Sequence, residues 1–70
     1  MAAAEAFARW RSLVHDKLRS SGISESYAHD LAHTVISAIE GAELAAQVFR
    51  SKEPLEIAGK RLARLITLHQ

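Results

Sequence analysis

Seventy residues bury only about 60% of the surface their unfolded chain exposes, which leaves a solitary monomer of this length marginally stable. The chain has no cysteine, and its four histidines show no ligand-like clustering, so neither disulfides nor a closed zinc site is expected to make up the difference, and no cofactor is implied. Nine Lys and Arg against eight Asp and Glu give a formal charge of +1 scattered along the chain. That balance lacks the footprint of direct DNA binding, and no apolar run approaches the ~18 to 20 residues of a membrane span.

No strand-like alternation occurs anywhere, so the expected class is all-α. A first helix is predicted over about residues 3–20, where Ala3, Phe7, Trp10, Val14 and Leu18 recur at helical spacing and Ala6 and Leu13 widen the stripe. Ser20, Ser21 and Gly22 end it, with Gly22 suited to the left-handed position that satisfies the last carbonyls. Ser24 then stands where an N-cap belongs, and Glu25 brings a negative charge to the first turn of a second helix over about residues 24–51. So short a connection makes the two helices antiparallel neighbours. Arg50 and Lys52 suit the negative end of that helix, after which Ser51 or Glu53 caps a third helix over 54–68 with Pro54 in its first turn. Its buried stripe is Leu55, Ala58, Leu62, Leu65 and Ile66.

The second helix carries two apolar seams where one would suffice for a single buried face. One runs through Ala28, Ala32, Val35, Ile39, Ala42, Ala46 and Phe49, the other through Leu31, Val35, Ala38, Ala42, Ala45 and Phe49. Two seams imply packing on the chain's own domain on one side and on a partner on the other. Gly41, at the centre, costs roughly 1 kcal/mol relative to alanine in a helix interior, and close approach of another helix would offset that. Ala58, Gly59 and Ala63 give the third helix a matching set of small residues, so helices two and three of two chains form a two-fold four-helix bundle, a homodimer.

Candidate chemistry is sparse. His29 and His33 lie one turn apart and could share a transition metal, but with Asp30 expected to point elsewhere no third ligand is at hand, so no metal site is assigned. His15 and Asp16 are adjacent and are expected to diverge on a helix. Glu40 has no basic residue a turn away on either side, and Glu53 and Glu56 serve the helix dipole. There is no cysteine nucleophile and no Gly-rich phosphate loop. No catalytic residue is assigned, and the chain is not read as an enzyme.

Phe7-x-x-Trp10, Ala28-x-x-Leu31-Ala32, Ile39-Glu40-Gly41-Ala42, Phe49-Arg50-Ser51, Pro54-Leu55-x-x-Ala58 and Leu62-x-x-Leu65-Ile66 together resemble the C-terminal part of a TetR-family transcriptional regulator of the LmrA/YxaF-like branch. The resemblance spans about Ala3 to Ile66, and its sharpest piece is the Glu-Gly-Ala segment followed a dozen residues later by the Pro-Leu restart. It implies that residues 1–70 are a dimerisation and effector-binding domain of a cytoplasmic repressor that meets DNA only through a helix-turn-helix domain absent from this sequence, which is then a fragment, a proteolysed product or a truncated reading frame. The dimer-interface candidates are Ile39, Gly41, Ala42, Ala45, Phe49, Leu55, Leu62 and Leu65. The candidates for a pocket holding a small apolar effector are Phe7, Trp10, Val14 and Glu40, although the aromatic pair reads more readily as the large members of a small core. The alternative is a free-standing helical adaptor that offers a partner helix the groove between helices one and two.

Overall fold

The structure is a computed structural model and describes residues 2–70. Three α-helices follow one another: α1 (Ala2–Ser20), α2 (Glu25–Phe49) and α3 (Glu53–Leu68). The class and the three-helix order match expectation. The second helix stops two residues before its predicted end.

Both reversals of the chain share one back-reaching hydrogen bond, from the residue after a left-handed one to a carbonyl five residues earlier. At the first, Gly22 sits at φ +94°, its N–H donates to the Arg19 carbonyl (3.0 Å), and the Ile23 N–H reaches back to the Leu18 carbonyl (3.2 Å). This is a Schellman motif, and its usual apolar closure is present, because Ile23 and Leu18 are both buried in one cluster. The Arg19 guanidinium also donates to the Ile23 carbonyl at 3.0 Å. Ser24 occupies the predicted cap position in extended backbone and its carbonyl accepts from the Ala28 N–H (2.8 Å), but its hydroxyl makes no capping bond.

At the second reversal Arg50 takes the left-handed conformation, φ 51° and ψ 49°, and the Ser51 N–H donates to the Ala46 carbonyl at 3.1 Å. That left-handed residue turns the chain before residues 50–51 can extend α2, which corrects the predicted boundary. The N-cap of α3 is Lys52, which corrects both predicted candidates, although the Ser51 hydroxyl one residue earlier accepts from the Glu53 N–H (3.1 Å).

The middle helix α2 packs against both of its neighbours, and α1 and α3 do not approach each other along their backbones. The result is a slab of 36 × 32 × 13 Å, roughly one helix thick. Its radius of gyration is 12.8 Å, against about 11 Å for a compact chain of this length. The core lies at the end where α1 turns into α2: Leu18, Ile23, Ala28, Leu31 and Ala32 cluster there, with Val14, Leu65 and Ile66 packed against them and Val35 and Leu62 also buried. Leu13 corrects the predicted stripe, since it is 63% exposed. It stands about 100° around the helix from Val14, which together with Leu18 sets the inward direction of α1.

Candidate association face and inter-helix groove

The N-terminal half of α2 has spent its apolar seams inside the chain, while the C-terminal half has not. Ala28, Leu31, Ala32 and Val35 are buried. Farther on, Ala42 and Ala45 are only half-buried, Ile39, Leu44 and Val48 are exposed, and Phe49 is 74% exposed. Gly41 is exposed, and a Cβ built on it would meet nothing within 4 Å, so nothing inside the chain requires glycine there. The facing end of α3 continues the pattern, with Leu55 and Ile57 exposed. Of the interface candidates, Leu62 is buried within the chain and Leu65 packs on the core cluster, so these two already serve internal packing.

The four effector-pocket candidates are not gathered around one cavity. Phe7 and Trp10 form a tilted pair with ring centroids 6.1 Å apart, and both are partly exposed on α1. Val14 packs against the core cluster. Glu40 is half-buried on α2; that partial burial, and after it the carboxylate of Glu43, hold its carboxyl above the usual carboxylate range.

A groove of about 250 Å³ between α1 and α2 is lined by none of those four residues. Its polar wall is Arg11, Ser12 and His15 from α1 with Glu25 and His29 from α2. His15 is its keystone: Nδ1 lies 3.2 Å from Asp16 Oδ1, and Nε2 lies 3.0 Å from both Glu25 oxygens. Bonds to Asp16 and to Glu25 therefore hold the imidazole above its ordinary value, and Glu25 also pairs with the Arg19 Nε at 3.4 Å. The expected divergence of His15 and Asp16 is corrected here. Adjacent residues do leave a helix in different directions, but a short carboxylate can swing back to the neighbouring ring. The same holds one element later, where His29 Nδ1 lies 3.2 Å from Asp30 Oδ1 although Asp30 was expected to point away. The His29 and His33 rings do meet, with centroids 5.0 Å apart. Among the described residues no three His, Cys, Asp or Glu side chains converge as metal ligands would.

Sequence reasoning named a groove between helices one and two but missed its polar lining. The available signal was the i, i+4 pair Arg11 and His15 followed, across a four-residue turn, by Glu25 at the first position of α2.

The structure is thus an all-α chain of three helices whose Ala-rich middle member is left open along half its length, and comparison with known proteins gives it a family. The chain belongs to the family described as transcriptional regulator LmrA/YxaF-like, C-terminal domain, which matches residues 1–61. Among its relatives are the uncharacterised HTH-type transcriptional regulators Rv0196 (strain ATCC 25618 / H37Rv) and MT0206 (strain CDC 1551 / Oshkosh) of Mycobacterium tuberculosis. Each is 38% identical over 64 residues, which covers 91% of this chain and 33% of the relative. The chain thus spans about a third of the length of the curated relatives it matches. No solved structure matches it.

Proposed function

We propose that residues 1–70 are the dimerisation and effector-binding region of a TetR-like transcriptional repressor working in the cytoplasm, with DNA read by a helix-turn-helix domain such as the names of its relatives imply. The observation that carries the reading is the surface left over. The chain exposes 5280 Å², whereas a compact 7.7 kDa monomer exposes about 4,300 Å². The surplus, roughly 1,000 Å², is close to the ~800 Å² that one partner contributes to a standard interface. It goes with the open C-terminal part of α2 and the start of α3, which hold Ile39, Gly41, Ala42, Ala45, Phe49 and Leu55, and the unfilled space over Gly41 is what a second helix at close range would occupy. Phe7 and Trp10, with Val14 and Glu40, are the proposed contacts of a small apolar effector. In the complete regulator, effector binding would shift the population between two placements of the DNA-binding domains, a coupling of a few kcal/mol at most.

The adaptor alternative is less well supported, because the groove it would offer a partner helix carries Arg11, His15, Glu25 and His29 rather than an apolar floor. Sedimentation equilibrium over a wide concentration range tests the proposal. A dimer of about 15 kDa whose unfolding midpoint rises with protein concentration is expected, and Gly41→Leu should return it to monomer by steric exclusion. A folded monomer of 7.7 kDa at micromolar concentration would remove the dimer from the reading.

A further inference from the structure

We infer that the groove between α1 and α2 seats the carboxylate of a small organic acid, with the Arg11 guanidinium as its anchor. The site shares no residue with the proposed effector contacts and so goes beyond the function proposed above. Its argument is an accounting of charge. Every carboxylate near the groove is already committed: Glu25 holds His15 with both oxygens and Arg19 with one of them, Asp16 holds the other nitrogen of His15, and Asp30 holds His29. Arg11 is half-buried, yet among the described residues no carboxylate lies within 4 Å of its guanidinium and no acceptor takes a hydrogen bond from it. A guanidinium on the groove wall with no carboxylate of its own is free to pair with one that arrives from outside.

Shape and surroundings narrow the ligand. The guanidinium fork matches the two oxygens of a carboxylate and forms paired, charge-assisted hydrogen bonds with it. The Ser12 hydroxyl lies on the same wall, and Glu25 marks the N-terminal, positive end of α2, whose first-turn N–H groups gain no side-chain cap from Ser24. Ala8 and Ala32 supply methyl groups along the rest of the lining, enough to contact a short hydrocarbon body. At about 250 Å³ the groove falls below the ~300 to 1,000 Å³ of pockets for drug-sized ligands, which fits a single ring or a short chain. With one unpaired cation it is matched to one negative charge.

The test is a two-dimensional NMR titration of the 70-residue chain with sodium benzoate at constant ionic strength. Saturable shifts are expected at the Arg11 side-chain Nε–H and at the amides of Ser12 and His29, and benzylamine should cause none. Arg11→Gln should weaken benzoate at least tenfold, and Arg11→Lys, which keeps the charge and loses the fork, should fall in between. Arg9→Gln, at an exposed position of the same helix, should leave affinity unchanged. Amide dispersion in each variant's spectrum establishes that it is folded before its affinity is read. Benzoate shifts that do not saturate, that survive Arg11→Gln, or that inorganic sulfate reproduces with equal affinity would overturn the assignment. Oligomeric state enters none of these readouts, so failure of the carboxylate site and failure of the dimer are separately visible.

Discussion

The turn after α1 and the turn after α2 close with the same back-reaching hydrogen bond, Ile23 N–H to Leu18 O in one and Ser51 N–H to Ala46 O in the other, and they differ in everything around it. The first uses glycine at the left-handed position, follows it with a fully buried isoleucine, and is tied by Arg19 to the Ile23 carbonyl and to Glu25. The second uses arginine at that position, follows it with an exposed serine, and stands beside an exposed phenylalanine. The closing backbone bond is common to the two ends, so it is side-chain packing that makes one end a core and leaves the other as surface.

The sharpest way to break that comparison is to truncate a large side chain at each end. Ile23→Ala should cost about 2–5 kcal/mol in denaturant unfolding, because a fully buried side chain leaves a cavity. Phe49→Ala should cost under about 0.5 kcal/mol at concentrations where the chain is monomeric. A comparable loss at both ends would show that the second turn is packed after all. Next in size are the turn residues themselves. Gly22→Ala should destabilise by about 1–2 kcal/mol through the backbone alone, since a Cβ there meets nothing within 4 Å, while Arg50→Gly should gain as much as about 1 kcal/mol at the matching position. Gly41→Ala sharpens the comparison from within α2: in dilute solution it should stabilise the helix by about 1 kcal/mol, and in concentrated solution it should weaken association.

The smallest expected effect is one of pH. His15 links the two helices at the packed end, where Arg11, Asp16, Arg19, Glu25 and His29 surround it. Its folded value is raised above the ordinary 6.5 by bonds to Asp16 and to Glu25, so the stabilisation is complete below 6.5 and fades as pH climbs through the raised value. Thermal unfolding of the wild type should show a falling midpoint over that window, and His15→Gln should flatten it.

Much of this was legible in the sequence, because the helices are amphipathic and their punctuation is local. Gly22 announced its own left-handed turn, and Pro54 placed the start of α3 within a residue. Arg50 was illegible for the converse reason: its type prefers right-handed backbone, and it takes the left-handed one where the Ser51 N–H closes back onto the Ala46 carbonyl. Leu13 misled because hydrophobicity marks a stripe without fixing which edge of it faces inward. The polar lining of the groove was hidden because it depends on side chains from two helices meeting across a turn, His15 with Glu25, and on neighbouring carboxylates folding back onto histidines, neither of which spacing on a single helix reveals.

The 13 Å thickness of the slab bears on how such a domain can carry a signal. Within that thickness α2 is the element packed against both of the others, and the apolar positions along it include Ala28, Ala32, Ala38, Ala42, Ala45 and Ala46. An alanine methyl has no rotamer to change, so a push from a molecule lying on one surface cannot be absorbed by a side chain swinging aside. At these contacts any adjustment between α2 and its neighbours falls to the helix backbones.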